Sequence, residues 1–200
     1  FPALYFYFGE FRQGSFGIRL LLSLFQSVTP RTAGFNTADF SQLSASGQML
    51  TIILMLIGGS PGSTAGGMKT TTLAVLTATA VSVFRRNENP ELFKRRIAPE
   101  TVANAASILM MYLSLCLTGA FLISRIEELP MMACMFETAS AVGTVGLSFG
   151  ITPGLGSISR IILIILMYLG RVGGLTLIYA ALSGHRIRFG KYPLEKITVG

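Results

Sequence analysis

Long stretches without a charged residue dominate the pattern of hydrophobic and polar positions in this chain. No Asp, Glu, Lys or Arg occurs from Phe40 to Met68, and none occurs from Thr101 to Ser124. Because a helix rises about 1.5 Å per residue, the second stretch is long enough to cross the hydrocarbon core of a bilayer. The pattern therefore predicts membrane crossings over residues 101–124 and over about residues 157–184.

Two shorter apolar segments each lead to a Thr-x-Gly element. They are FGIRLLLSLFQSV, residues 16–28, and LPMMACMFETASAV, residues 129–142, and both are too short to span a bilayer. A polar stretch and a longer apolar segment follow each element. This order is typical of a re-entrant pore helix, a non-helical strand and an inner helix, since non-helical backbone at membrane depth must line water or be buried in protein.

The chain also contains an internal repeat with a shift of 112 residues. The shift, made without a gap, aligns Thr32 and Gly34 with Thr144 and Gly146. In the longer apolar segments it aligns Ile52, Ile53, Leu54, Met55, Gly58, Gly62 and Thr64 with Ile164, Ile165, Leu166, Met167, Gly170, Gly174 and Thr176. We interpret the chain as two copies of one unit, of which the first lacks most of its outer helix.

Composition and charge agree with a membrane protein and predict its orientation. Only 12% of the 200 residues are charged, 51% are hydrophobic, and the net charge is +7. The basic segments 85–96 and 185–191 flank apolar segments and should face the cytoplasm, whereas RIEE, residues 125–128, should lie outside. The net charge also indicates an affinity for anionic lipid. A nucleic-acid partner is not expected, because the basic residues flank membrane segments and are not interleaved with aromatic residues on one exposed face.

The residues that usually carry enzyme chemistry are scarce. Cys116 and Cys134 lie deep in apolar sequence and suit packing better than a disulfide or a metal site. His185 is the only histidine and lies in the basic tail, where an exposed, inert role is expected. No Ser, His and acid constellation can be assembled. We predict that the protein is not an enzyme and holds no organic cofactor.

The glycine-rich segment GGSPGSTAGGMKTTT, residues 58–72, admits two interpretations. A phosphate loop needs a lysine directly after its last glycine, but Met68 follows Gly67 and Lys69 comes one residue late. The flanking sequence is membranous, so a nucleotide-binding or nucleotide-hydrolysing protein stays as an alternative, together with a non-transporting membrane scaffold. The glycines and the proline of this segment cannot continue a helix stably, which predicts a break in the apolar helix.

A Thr-x-Gly element suits the coordination of a desolvated potassium ion. Such an ion must be met by backbone carbonyls around an axis, and glycine permits the dihedral angles that turn the carbonyls inward. The TVG of residues 144–146 is similar to the TVGYG filters of potassium channels, although Leu147 and Ser148 replace the last two residues.

Four motifs in order resemble the Trk/Ktr/HKT superfamily of cation transporters, and most of all its bacterial Ktr membrane subunit. They are SVTPRTAGFNTADF, GGSPGSTAGGMKTTT, TASAVGTVGLS and MYLGRVGGLTL. The resemblance implies an all-α membrane protein with four repeats of outer helix, pore helix with filter, and inner helix (M1-P-M2) around one pseudo-fourfold pore. It also implies a homodimer on a cytoplasmic ring of nucleotide-binding regulatory subunits, with K⁺ as the transported ion and Na⁺ as an activating or symported ion.

The resemblance also assigns site residues. The ion-binding filter would consist of Thr32, Ala33, Gly34, Thr144, Val145 and Gly146, with K⁺ at the backbone carbonyls of Gly34 and Gly146. The gate would be the loop of residues 58–67 together with Arg171. The loop residues assigned to it are Gly58, Gly59, Ser60, Gly62, Ser63, Thr64, Gly66 and Gly67. A close helix-packing patch of small residues is the alternative role for this segment.

Three charged residues near these elements have open roles. Arg171 is the one charged residue of the apolar segment 161–184. An arginine in the middle of such a helix costs about 2.5–3.5 kcal/mol on insertion scales, so it should face a cavity and meet carbonyl or seryl oxygens of the loop. Snorkelling toward the cytoplasm is its alternative, and Lys69 is either a loop anchor or an interfacial lysine. Glu137, in the second pore helix, is expected to stabilise the filter backbone and not to bind the ion directly.

These expectations combine into one description of the chain as the C-terminal portion of a potassium-uptake protein of the plasma membrane. Residues 1–84 form the third pore repeat, 85–97 a basic cytoplasmic linker, 98–184 the fourth pore repeat, and 185–200 a cytoplasmic tail. Potassium passes a carbonyl-lined filter, and the loop 58–67 gates the path under a cytoplasmic nucleotide-binding partner.

Overall fold

The computed structural model describes residues 1–11, 15–86 and 90–173, and most of its regular structure is helical. The helices are α1 (Pro2–Tyr5), α2 (Phe16–Val28), α3 (Ala45–Leu56), α4 (Thr70–Phe84), α5 (Pro99–Glu127), α6 (Met131–Val142) and α7 (Ser157–Val172). A π-helical turn, Phe6–Glu10, follows α1, and 3-10 turns occur at Phe40–Gln42 and Thr152–Gly154. The predictions for residues 174–200, including the end of the second inner helix and His185, lie outside the described residues.

Helix α5 covers the segment predicted as a crossing, residues 101–124. It has 29 residues, which at 1.5 Å per residue gives a length of about 43 Å, more than the roughly 30 Å of a hydrocarbon core. Pro99 occupies the first turn, where a missing N–H costs nothing. Within the described part of the chain, α5 is the one helix long and apolar enough to cross a membrane by itself.

Helices α2 and α6 coincide closely with the two short apolar segments. They have 13 and 12 residues, or about 20 Å each, so neither crosses a bilayer alone. Their surroundings differ. Nine residues of α6 are buried because it packs among α3, α5 and α7, whereas only Ser23 and Gln26 are buried on α2.

The predicted interruption of the first long apolar segment is present. Helix α3 ends at Leu56 and helix α4 begins at Thr70, with the glycine-rich segment between them. The start of α3 also agrees with the repeat, since α3 begins at Ala45 and α7 begins at Ser157, 112 residues later. The helices formed by the two longer apolar segments therefore begin at equivalent positions of the repeat.

The basic linker contains the one departure from an all-helical fold in the described part of the chain. Strands β1 (Glu91–Leu92) and β2 (Arg95–Arg96) pair antiparallel in a short hairpin between α4 and α5. The sequence predicted only a basic connection here. The hairpin matters below because it packs against the end of α4.

Candidate ion pathway

Both Thr-x-Gly elements adopt the same unusual backbone. Positive φ angles occur at Thr32 (64°) and Gly34 (74°), and again at Thr144 (52°) and Gly146 (90°), while Ala33 and Val145 between them have no positive φ. Alternation between left-handed and ordinary backbone turns successive carbonyls toward the same side. A left-handed conformation is rare for a β-branched residue such as threonine, so the surrounding structure must hold it in place.

The two elements lie against each other in space. A Cβ added to Gly34 would overlap the Val145 carbonyl oxygen and would come within 3.7 Å of the Cα of Gly146. The structure therefore brings residues 32–34 and 144–146 together, although they are separated by more than half of the chain. Only glycine fits at residue 34, because any side chain would meet the neighbouring backbone.

Carbonyls from the ends of the two short helices hold these elements. At α2, the amides of Ala33 and Gly34 both donate to the Thr29 carbonyl at 3.2 Å. At α6, the amide of Val145 donates to the Ser140 carbonyl at 2.9 Å. Each element is thus anchored directly at the C-terminal end of its own helix, which bears the negative end of the helix dipole.

The carboxylate of Glu137 holds the backbone that follows the second element. Its Oε1 accepts hydrogen bonds from the Phe149 amide at 2.9 Å and from the Ser148 hydroxyl at 2.7 Å, and its Oε2 accepts one from the Thr152 hydroxyl at 2.8 Å. Glu137 itself is buried. These contacts match the backbone-stabilising role expected for it.

The carboxylate of Asp39 stabilises the chain that follows the first element, but it does so by hydrogen bonds within a local turn. The Oδ1 atom of Asp39 accepts from the Ser41 hydroxyl at 2.6 Å and from the Ser41 amide at 3.0 Å. These hydrogen bonds, that of the hydroxyl most of all, hold the pKa of Asp39 below its ordinary value. Asp39 thereby fixes the start of the turn at Phe40–Gln42.

The glycine-rich segment forms a closed loop between α3 and α4. The Gly58 amide donates to the Met68 carbonyl at 2.7 Å, the Met68 amide donates to the Leu56 carbonyl at 3.0 Å, and the Thr70 amide donates to the Gly59 carbonyl at 3.2 Å. Gly62 and Gly67 have positive φ angles of 88° and 71°. The helix break is therefore a loop whose two ends are hydrogen-bonded to each other.

This loop contacts the second Thr-x-Gly element and α7. The Gly66 amide donates to Thr144 Oγ1 at 3.1 Å, and Arg171 Nη1 donates to the Thr64 carbonyl. The contact expected between Arg171 and a carbonyl of the loop is therefore present. Because Thr144 belongs to the candidate filter, one hydrogen bond joins the two predicted functional elements.

Lys69 is a loop anchor in this structure. Its ammonium group donates to the carbonyls of Ser63 at 2.9 Å and Ala65 at 2.7 Å. These contacts occupy the one lysine that a phosphate-binding loop would have needed. The Lys69 ammonium group is therefore bound within the loop and is not free to bind a phosphate.

Two cavities flank Arg171. One, of about 410 Å³, is lined by the loop, by Tyr112 of α5 and by Gly170. The other, of about 730 Å³, is lined by the second Thr-x-Gly element, by Glu137 and by Met167. Arg171 borders both cavities, so its charge lies beside the loop on one side and beside the candidate filter on the other.

Sequence reasoning missed a pair of carboxylates that cap the inner helices. Glu10 accepts from the amide and the hydroxyl of Ser44, which is the N-cap of α3. Glu127 accepts from the amide of Gly156, the N-cap of α7, at 2.9 Å and from the Ser159 hydroxyl at 2.5 Å. Ser44 and Gly156 are 112 residues apart, but Glu10 and Glu127 are 117 apart, so an ungapped shift does not align the two acids.

The fold and the site together place the protein in the class of helical membrane proteins that have non-helical backbone packed among their helices. The chain belongs to the TrkH family of cation transport proteins, whose family model matches residues 8–186. A membrane location follows from this membership.

Several curated proteins resemble the chain over most of its length. It is 42% identical over 194 residues to the potassium/sodium uptake protein NtpJ of Enterococcus hirae, covering 94% of this chain and 43% of that protein. It is 37% identical over 182 residues to the Ktr system potassium uptake protein B of Bacillus subtilis, covering 91% and 41%. The protein of the same name from Vibrio alginolyticus is 36% identical over 184 residues, covering 92% and 40%. The chain spans about two-fifths of the length of these relatives, all of which are named as uptake proteins.

Proposed function

We propose that this chain forms part of a potassium-uptake pathway in which the two Thr-x-Gly elements coordinate the ion through backbone carbonyls. The observation that carries the proposal is the alternating backbone at residues 32–34 and 144–146, repeated in two elements that lie against each other. Such a backbone offers carbonyl oxygens in place of the hydration shell of a K⁺ ion. Relatives named for potassium uptake support the choice of ion.

The helices that carry these elements add a favourable electrostatic field. Helices α2 and α6 end at Val28 and Val142, a few residues before Thr32 and Thr144. The C-terminal end of a helix carries a partial negative charge, equivalent to about half an elementary charge, which attracts a cation. The proposed filter therefore combines neutral carbonyl ligands with two helix ends of the right polarity.

The loop of residues 58–67 supports a gating role. It is bound to the proposed filter through Gly66 and to α7 through Arg171. A loop in this position obstructs the route below the filter, and the Arg171 charge adds a barrier to cations there. Opening requires the loss of these few contacts, whereas the paired ends of the loop can stay in place.

The wider architecture of the proposal rests on the repeat and on the relatives. Residues 1–84 and 98–184 are two M1-P-M2 repeats, joined by a cytoplasmic linker over residues 85–97 and followed by a cytoplasmic tail over residues 185–200. Two such repeats enclose only half of a pseudo-fourfold pore, so two more repeats, a homodimer and a cytoplasmic nucleotide-binding ring complete the working assembly. K⁺ is the transported ion, with Na⁺ as an activating or symported ion, as the name of the Enterococcus relative suggests.

Alanine substitutions at Gly34 and Gly146 test the filter. In Gly146→Ala the new Cβ meets nothing within 4 Å, so only the left-handed backbone is strained, whereas in Gly34→Ala the Cβ also overlaps the Val145 carbonyl. Strain of about 1–2 kcal/mol corresponds to roughly 5–30-fold. We expect potassium-over-sodium selectivity of uptake to fall by about that factor in Gly146→Ala and further in Gly34→Ala.

Gly154→Ala is the matched control for this experiment. Gly154 lies in the same region, has no positive φ, and has open space for a Cβ. Uptake by the full-length protein should be measured in cells that lack other potassium transporters. Unchanged selectivity in both Gly34→Ala and Gly146→Ala, with normal amounts of protein in the membrane, would contradict the filter assignment.

A further inference from the structure

The turn of the β-hairpin has a backbone that its residues do not favour. Phe93 and Lys94 connect the two strands and have φ angles of 50° and 63°. A two-residue turn with both φ angles positive normally contains Asn-Gly or a similar pair, because bulky residues are strained there. Strain of this kind persists only where the surrounding structure holds it, and strained residues of this kind cluster at functional sites.

The hairpin folds back against the end of α4 and does not extend away from it. Lys94 and Glu91 of the hairpin line a cavity of about 260 Å³ together with Ala78, Val81 and Arg85 of α4. Ser82 also lines this cavity. Since α4 is apolar and its neighbour α5 is long enough to cross a membrane, the hairpin is expected at the level of the lipid headgroups.

The surface of this region combines cations with exposed aromatic side chains. Arg85, Arg86, Lys94 and Arg95 are all exposed, and Glu91 is the one carboxylate that lines the cavity. Phe93 at the tip is 92% exposed, and Phe84 at the end of α4 is 86% exposed. Aromatic rings beside lysine and arginine are typical of segments that lie at the interface of an anionic leaflet.

We propose that this hairpin binds an anionic phospholipid of the cytoplasmic leaflet. The phosphate lies in the cavity between Arg85 and Lys94, and Phe93 inserts at the boundary between headgroups and acyl chains. The strained turn presents the aromatic ring and the adjacent cation together. The proposal depends on the predicted orientation of the linker and is independent of the filter and of the gate.

A tryptophan placed at the tip reports the insertion directly. These 200 residues contain no tryptophan, so Phe93→Trp adds a signal to this region, and its emission is taken as the difference from the parent protein. After reconstitution into vesicles of phosphatidylcholine and phosphatidylglycerol, brominated acyl chains should quench this emission. We expect stronger quenching when the bromine is on phosphatidylglycerol than when it is on phosphatidylcholine.

Single charge removals in the Phe93→Trp background test the proposed phosphate site. Each basic side chain near an anionic surface strengthens association by about five-fold. Arg85→Gln and Lys94→Gln should each lower the preference for phosphatidylglycerol by about that factor. Arg160→Gln is the control, because Arg160 lies at the start of α7, far along the chain from the hairpin.

A second variant separates lipid binding from the folding of the hairpin. Phe93→Asn combined with Lys94→Gly gives the turn its favoured residues and removes both the aromatic ring and the charge. We expect this variant to be at least as stable as the parent and to lose preferential retention of phosphatidylglycerol, measured by mass spectrometry of lipids that copurify. Retention equal to that of the parent would contradict the proposal.

Two further outcomes would overturn the inference. Equal quenching by both brominated lipids would show that the tip does not prefer an anionic headgroup. Emission that is shielded from an aqueous quencher only after a soluble regulatory subunit is added would show that the hairpin binds a protein partner instead. Potassium flux enters neither measurement, so failure of the proposed transport function is distinguished from failure of lipid binding.

Discussion

At the scale of single residues, Thr144 connects the candidate filter with the candidate gate. Its backbone is left-handed, which costs about 1–3 kcal/mol for a residue of this kind. Its hydroxyl accepts the amide of Gly66, the contact that joins the loop to the element. Thr32, its counterpart in the repeat, has the same backbone, but its hydroxyl donates to the neighbouring Arg31 carbonyl. The threonine hydroxyl therefore contacts the loop in the second copy and only its own neighbour in the first copy.

Thr144→Val removes this acceptor while keeping the shape of the side chain. A lost hydrogen bond of this type costs about 0.5–1.5 kcal/mol, or roughly 2–10-fold in an equilibrium. We expect the closed state of the loop to weaken by that factor, which raises potassium uptake under conditions that keep the transporter inactive. Uptake can be followed as ion flux into proteoliposomes.

Thr32→Val is the matched control for Thr144→Val. It has the same backbone strain and the same loss of a hydroxyl, but no bond to the loop. Equal changes in flux for both variants would assign the effect to the filter backbone and would contradict a link between the loop and Thr144.

At the scale of elements, the break between α3 and α4 is a compact loop with paired ends. Backbone hydrogen bonds join residues 56–59 to residues 68–70, including a parallel bridge between Ile57 and Met68. The base of the loop is thus fixed independently of its tip. The loop tip is held by Thr144, by Arg171 and by Lys69.

Deletion of residues 60–66 should remove the obstruction. Only Gly59 and Gly67 then connect Gly58 to Met68, so the parallel pairing at the base must rearrange while a short connection still joins α3 to α4. We expect higher flux than in the parent and a weaker dependence on the regulatory partner, measured in the same proteoliposomes. A replacement of residues 60–66 by seven glycine and serine residues is the length-matched control. A deletion protein that assembles and conducts no better than the parent would count against a gate.

At the scale of the whole molecule, the two halves show related construction. In each half a short helix ends at a Thr-x-Gly element, and a glutamate that follows an earlier helical segment caps the next long helix. The longest helix exposes many large apolar side chains, among them Met110, Leu117 and Phe121. Exposed apolar surface on a helix of this length is expected where lipid or further protein covers it.

Cysteine labelling from each side of the membrane tests the predicted orientation. Both native cysteines are buried, so their reaction with an impermeant thiol reagent should be low. Glu128→Cys, after α5, should react in intact cells, because RIEE is predicted to lie outside. Lys94→Cys, in the linker, should react slowly in intact cells and several-fold faster once the membrane is made permeable. The reverse pattern would show that the chain has the opposite orientation.

Much of the fold could be predicted because local composition controls it. Uncharged runs predicted α5, the short apolar segments predicted α2 and α6, and the glycines and Pro61 predicted the end of α3. No local signal predicted the hairpin, because Phe93 and Lys94 are unusual residues in such a turn. The capping acids were missed for a different reason, since the first copy has five more residues than the second between the acid and the helix it caps, and this difference hides their correspondence.

The sequence by itself determined the membrane class, the order of the elements and the 112-residue repeat, because hydropathy and glycine content act locally. The tertiary structure alone decided which groups meet. It placed Gly34 against Val145, the Gly66 amide on Thr144, and Arg171 on the carbonyl of Thr64. Most of these partners are backbone atoms that every residue possesses. Their pairing depends on how the helices pack and not on residue type, so the sequence predicted only that Arg171 meets an oxygen of the loop and did not predict the individual partners.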